Sequence, residues 1–195
     1  MRSTDFYYQQ EELYHIGENW DKLAQNEETA IDFAHMHINE EPEVWIDYTH
    51  YSLEYSLAHD GATINHHYRE YELLDLDNED IQVAQMVATH TTDTDLILYR
   101  GVNDDVYESM TKNAHNMDDC DLYEKGFLAT SLVKGHEINT KIKLRIYAPA
   151  GTKCVYMGNV NMEQFYYEVD VMHSAKLKII SMDDEYINCE LLETA

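Results

Sequence analysis

Three short stretches carry side chains suited to chemistry on a charged sugar. Glu168 heads the alternating run Tyr166-Tyr167-Glu168-Val169-Asp170-Val171. A carboxylate fixed at a strand end can face positive charge developing on a sugar ring, as acids do in glycoside hydrolysis. Arg100 ends the apolar run Leu96-Ile97-Leu98-Tyr99 and is followed by Gly101. A guanidinium is a planar fork that matches paired oxyanion oxygens, and a glycine lets backbone approach a ligand closely. Thr130 and Ser131, in Gly126-Phe127-Leu128-Ala129-Thr130-Ser131-Leu132, can brace a sugar hydroxyl or the glutamate. Taken singly, each has a plain structural explanation: a strand-end arginine usually pairs with an acid, and an edge glutamate is usually solvated. Their occurrence together, in this order, gives the set its weight.

Such side chains need rigid supports, and the sequence supplies two kinds. Residues 9–25 space Leu13, Ile16, Trp20, Leu23 and Ala24 at helical steps, which predicts an amphipathic helix. Asn26 is a candidate N-cap for a short helix carrying Ile31, Phe33 and Ala34. Pro42 suits the first turn of a third helix, with Val44, Tyr48, Tyr51, Tyr55 and Ala58 on one face and a stop at Asp60-Gly61. Residues 63–70 read as a further helical turn or two, and Asp77 or Asn78 caps a helix through Ile81, Ala84 and Val87. After Asp93 the pattern changes. Strands are predicted at 96–100, 127–131, 141–147, 152–156, 166–171, 176–181 and 186–192, with a helix at 104–114. Turn signals at Pro149-Ala150-Gly151, Gly158-Asn159 and Asp183-Asp184 separate several of the strands. Helices first and strands second predict an α+β domain, a helical layer (1–92) against antiparallel sheet (93–195), in one unit over residues 1–195.

Composition narrows the function. With 195 residues and 44% apolar content, the chain can bury one sizeable core. Its 38 acids against 13 Lys and Arg give a formal charge of −25, which repels nucleic-acid backbones and anionic membranes. Excess negative charge fits a basic protein partner instead. Cys120, Cys154 and Cys189 lack CxxC spacing and are odd in number, as expected of reduced thiols in a cytoplasmic protein. The first residues lack a signal-peptide core, and no stretch has the roughly 20 apolar residues of a membrane span. His35-Met36-His37 and His66-His67 are spaced i,i+1 and i,i+2, which do not share a helix face, so no metal is expected.

The motifs together resemble those of the arginine–serine–glutamate class of mono-ADP-ribosyltransferases. Tyr99-Arg100-Gly101-Val102 looks like that family's first motif, and residues 126–132 resemble its Ser-Thr-Ser strand. Tyr147-Ala148-Pro149-Ala150-Gly151-Thr152-Lys153 is similar to the turn that follows. Glu168-Val169-Asp170-Val171 with Lys176-Leu177-Lys178-Ile179 resembles the glutamate strand and its successor. Ile46-Asp47-Tyr48-Thr49 and Ile64-Asn65-His66-His67-Tyr68-Arg69 look like the helical lead-in. The resemblance spans residues 44–181 and implies a split NAD-binding β-sandwich behind a helical N-terminal part.

It also implies an activity: cleavage of NAD, release of nicotinamide and transfer of ADP-ribose to a macromolecular acceptor, most simply a protein. Glu168, Arg100 and Ser131 would be the catalytic residues, with Glu168 stabilising the oxocarbenium and Arg100 anchoring phosphate or ribose. Tyr99, Arg100, Gly101, Leu128, Thr130 and Ser131 would contact NAD, Gly101 through its backbone at the nicotinamide amide. Residues 161–167 would form the substrate loop, with Glu163, Gln164, Phe165 and Tyr166; Glu163 is the second candidate for the acid. Tyr51, Tyr55 and Tyr99 are the tyrosines placed to stack on a base, and the loop 132–140 offers His136. Small stand-alone members resemble phage-encoded modifiers of host proteins, bacterial effectors and toxins.

Two departures stand out. Ala129 occupies the position where the family strand opens with serine, which leaves support of Glu168 to Ser131 or another group. Tyr166 stands where the family carries Glu or Gln, so the acceptor residue type is not readable from this motif. Both departures also fit a second reading, a non-catalytic acidic protein that keeps the fold and mimics nucleic acid toward a basic partner.

Overall fold

The structure is a computed structural model that describes residues 20, 22–42, 46–47, 50–71, 75–159 and 165–195. Its centre is β3 (Leu96–Val102), whose side chains alternate between two environments. Leu96 and Leu98 enter one buried cluster, while Ile97 and Tyr99 pack with Trp20 and Tyr186 on the other side, as a period of two requires.

Around β3 the described strands form one mixed sheet: β4 (Leu122–Glu124), β9 (Ala175–Met182), β10 (Ile187–Glu193), β6 (Ile142–Ala148), β3, β5 (Leu128–Ser131), β8 (Glu168–Val171) and β7 (Cys154–Gly158). Neighbours run antiparallel except β6 and β10, which are parallel. The sheet is nearly divided. Among the described residues, a single pair, Tyr99 opposite Ser131, joins β3 to β5. The two halves fold over one core, in which Leu98 and Ile146 from one half meet Tyr156 and Val169 from the other. This is the expected split sandwich, except that the sheet is mixed and not wholly antiparallel, because β6 and β10 pair parallel.

Two of the helices cover the three-stranded half. α1 (Ala30–His37) buries Ala30 and Ala34, while α2 (Leu53–Glu70) and α3 (Asn78–Ala88) set Leu57, Ile64, Val83 and Val87 against Phe127, Val155 and Met172. α3 starts where predicted, because Asp77 accepts from Asp80 N at 2.9 Å and Asp80 accepts from Asp77 N at 3.3 Å, a reciprocal capping box. α4 (Asp104–Ala114) also matches its predicted span.

The helical lead-in differs from expectation. No helix starts at Pro42; instead β1 (Ile46–Asp47) and β2 (His50–Tyr51) pair antiparallel, Ile46 opposite Tyr51. The β-branched and aromatic residues here favour extended backbone, and Ser52, accepting from Tyr55 N at 3.0 Å, starts the helix at Leu53. Nor does Asp60-Gly61 stop it: residues 53–70 are one helix, not two. A glycine inside a helix costs about 1 kcal/mol against alanine. That is less than the packed face of Leu57, Ile64 and Tyr68 stabilises. Thr29, not Asn26, is the N-cap of α1; Asn26 Oδ1 instead accepts from the amides of Glu28 and Thr29. Leu13, Ile16, Val44 and Tyr48, and most of the helix expected at 9–25, lie outside the described residues.

Candidate active site

β8 alternates as β3 does. Val169 and Val171 enter the sandwich core, and Met172 beyond them packs toward α2 and α3. Glu168 and Asp170 share the parity of Met172 and line a cavity of about 430 Å³ beside α2. The β5–β8 register sets Ala129 opposite Asp170 and Ser131 opposite Glu168. Arg100 and Gly101 of β3 and Asn65 and Arg69 of α2 complete the walls. Arg100 and Glu168, 68 positions apart, therefore face one hollow at the place where the sheet divides.

Local backbone aims Glu168. Tyr167, immediately before it, has φ of 46°, in the left-handed region that a bulky residue rarely adopts. Its amide donates to Asn159 Oδ1 at 3.0 Å and its carbonyl accepts from Leu132 N at 3.1 Å. The ring of His136 meets the Tyr167 ring edge-on. β7 is bulged here, with its pairing stepping from Tyr156 to Gly158 while β8 advances one residue to Glu168, and such a bulge re-aims the strand end.

The charges are ordered around Glu124, which is 1% exposed. Arg69 grips it with two hydrogen bonds, Nε to Oε1 at 2.9 Å and Nη2 to Oε2 at 2.8 Å. Gly126 N donates to Oε1 at 2.9 Å. Arg100 Nη2 approaches Oε2 at 3.5 Å, while Nη1 donates to Ala129 O at 2.9 Å. Burial pushes the Glu124 carboxyl up, but the hydrogen bonds from Arg69 and the charges of both arginines outweigh it and hold the group below the usual carboxylate range. Burial pushes the Arg100 guanidinium down, opposed by Glu124. Arg100 Nε is buried and finds no hydrogen-bond partner among the described residues. Glu168 is different: burial raises it to about 7, against the pull of Arg100. Burial and the charge of Glu168 push Asp170 well above the usual range, with Arg100 again opposing.

Of the residues singled out from the sequence, Tyr99, Arg100, Gly101, Thr130, Ser131, Tyr166 and Glu168 all line this cavity. Leu128 does not; it is fully buried in the core. The Ser131 hydroxyl is engaged locally, donating to Val133 O at 2.9 Å and accepting from Val133 N at 3.0 Å, and Thr130 Oγ1 donates to Val169 O at 2.6 Å. Thr130 therefore braces the backbone next to Glu168, whereas the Ser131 hydroxyl closes the turn out of β5 instead of supporting the Glu168 side chain. Gly101 has a steric reason: a Cβ there would lie 1.8 Å from Ile138 O. Glu163 and Gln164 lie outside the described residues, as does the side chain of Tyr51. Phe165 is 68% exposed at the rim, its carbonyl held by His136 Nδ1. Tyr55 stacks on His59, which lines the cavity.

Sequence reasoning did not single out Glu124, Arg69, Asn65 or Asp170. Asn65 and Arg69 carried one signal, their i,i+4 spacing on a single helix face. Asn65 Oδ1 accepts from Phe127 N at 2.6 Å and so fixes the entry to β5. His67, Asp77 and Asp80 also converge, but their polar atoms serve the cap of α3: His67 Nδ1 bonds the Asp80 carboxylate at 2.9 Å.

The family model described as ADP-ribosyltransferase exoenzyme matches residues 50–190. Among solved structures, C3stau2 from S. aureus with NAD is similar over 94% of this chain and 95% of its own, at 17% identity and a TM-score of 0.60. Plx2a, an ADP-ribosyltransferase toxin from Paenibacillus larvae, is 15% identical over 72% of this chain and 86% of its own, with a TM-score of 0.56. The Clostridium limosum C3 exoenzyme is 19% identical over 72% and 83%, with a TM-score of 0.53. No curated protein matches by sequence. The family match does not support the reading as a non-catalytic nucleic-acid mimic. With a matched span of this extent, the chain belongs to the ADP-ribosyltransferase exoenzyme family and is an NAD-dependent mono-ADP-ribosyltransferase.

Proposed function

We propose that the cavity between β3, β5, β8 and α2 binds NAD and that Glu168 drives transfer of its ADP-ribose to a protein. The observation that carries this reading is a half-buried carboxylate and two guanidiniums, distant in sequence, on the walls of one cavity. The glycosidic bond between nicotinamide and ribose breaks with its electron pair leaving on the nicotinamide nitrogen. Positive charge passes to the ribose, where the Glu168 carboxylate stabilises it in a site shielded from water. Arg69 and Arg100 suit the pyrophosphate by charge, and both line the cavity. The acceptor nucleophile then bonds to the ribose carbon and releases its proton.

Gly101 would present its backbone to the nicotinamide amide. Ser131 and Thr130 would hold the strands that carry Glu168. Phe165 and Tyr166 stand at the rim, where an acceptor protein would dock. A formal charge of −25 favours acceptors with basic surfaces. The three cysteines are buried free thiols, which fits a reducing cytoplasm. Among the described residues, no helix is long and apolar enough to cross a membrane. Incubation with labelled NAD and a cell lysate tests the reading: it predicts nicotinamide release and a labelled protein band, and fails if neither forms.

A further inference from the structure

Asp170 is one of the most deeply buried charged side chains of the molecule, 2% exposed, yet it lines the cavity beside Glu168. Its cross-strand partners are Ala129 on β5, whose small side chain leaves the carboxyl group room, and Val155 on β7. The titratable groups around it are Glu168 on its own strand, Arg100 from β3 and Cys154 from β7. Further along the cavity wall stand His59 and Arg69 from α2, and His136 and Glu137 from the loop after β5. From β5 come Ala129, Thr130 and Ser131, none of which titrates near neutrality.

Counting charge isolates the problem. Arg69 and Glu124 neutralise each other through their two hydrogen bonds. Glu137 is satisfied outside the catalytic wall, by Lys143 at 2.9 Å and the Tyr186 hydroxyl at 2.8 Å. Two cations, Arg69 and Arg100, thus face three carboxyl groups, Glu124, Glu168 and Asp170, since Arg100 also approaches Glu124 at 3.5 Å. One negative charge is left uncompensated in a largely buried setting, and such a group retains a proton instead. Of Glu168 and Asp170, the more deeply buried member keeps it, and that member is Asp170.

We propose that Asp170 is a positioning residue for the transfer reaction: it holds the cavity's shared proton as a neutral carboxyl opposite Ala129, so that Arg69 and Arg100 are balanced by Glu124 and Glu168, and Glu168 meets the ribose ionised. This rests on the transferase reading. Above the range where Asp170 keeps its proton, the second negative charge draws Arg100 away from Glu168 and turnover falls. Asparagine is the neutral isostere, so Asp170→Asn preserves the working state and removes the second titration.

The test is nicotinamide release against pH for wild type, Asp170→Asn and Glu168→Gln, with infrared spectra of wild type carrying 13C-labelled aspartate. Expected are a bell-shaped wild-type profile, an Asp170→Asn enzyme within about threefold of wild type near neutrality with the alkaline limb gone, and a protonated aspartate band at the pH of maximal turnover. An Asp170→Asn profile that keeps both limbs overturns the proposal. So does a folded Asp170→Asn protein as inactive as Glu168→Gln, or a wild type without the band, a result that needs no variant. Absence of turnover in wild type despite the band would sink the transferase reading beneath it; turnover without the band would sink this inference alone.

Discussion

Ser131 lies directly opposite Glu168 in the β5–β8 ladder and also pairs with Tyr99 of β3, so one residue ties the Glu168 strand to the strand that carries Arg100. The sheet divides on either side of this junction, and the cavity opens there. A cleft made this way has rigid walls, because Arg100, Ser131 and Glu168 all sit on hydrogen-bonded strands.

Glu124 holds both arginines, so its loss should be felt twice. Glu124→Gln leaves two cations around a buried neutral amide, and breaking a buried pair costs about 3 kcal/mol or more. We expect a lower urea midpoint, together with a KM for NAD raised roughly tenfold and a smaller change in kcat. Unchanged NAD affinity would show that the arginines do not depend on it.

Gly101 packs its backbone against the loop before β6. Gly101→Ala places a Cβ 1.8 Å from Ile138 O, which the loop can relieve only by moving away from the cavity wall. Nicotinamide release should fall at least about tenfold while the fold, anchored elsewhere, survives. Near-wild-type turnover with an unchanged melting temperature would contradict the packing.

The pH dependence of stability isolates His173. This buried ring stacks on Tyr68 and is depressed to about 4, by burial first and by Lys153 second. The unfolded chain binds its proton near the ordinary histidine value of about 6.5, so the folded state is favoured above that pH and loses the advantage as pH falls toward 4. The full effect is about 3 kcal/mol. Urea midpoints of wild type and His173→Gln should converge on acidification; parallel curves would refute it.

Catalysis should follow the ionisation of Glu168. Burial raises it to about 7, with Arg100 opposing, and the reaction needs the carboxylate. kcat/KM for nicotinamide release should therefore rise with pH through about 7, with an acid limb well above that of an ordinary glutamate. A limb near the ordinary value of about 4.3 would place Glu168 in a more polar setting than the structure does.

Much of this was legible in the chain. α4, β3 and the strands from β5 to β10 follow from apolar periodicity, and Arg100 and Glu168 stand at strand ends where a motif reader looks first. The helical lead-in was less so. Val44 to Tyr51 is amphipathic by a helical count yet extended by residue type, and Gly61 reads as a stop only until Ile64 and Tyr68 are seen to pack. β4 was missed because three residues in a polar stretch carry little period. Glu124 within it was invisible for a better reason: its partners Arg69 and Arg100 lie 55 and 24 positions away, and no local pattern encodes such a meeting. Asp170 was hidden in plain sight, since its meaning depends on the register that sets it against Ala129.

The central claim is that the Glu168 carboxylate stabilises the charge left on ribose as nicotinamide departs. The direct measurement is nicotinamide release from NAD by purified Glu168→Gln, with NAD affinity measured alongside. The account predicts turnover reduced by at least ~100-fold with NAD still bound and the fold intact. A Glu168→Gln enzyme that releases nicotinamide at the wild-type rate would contradict it.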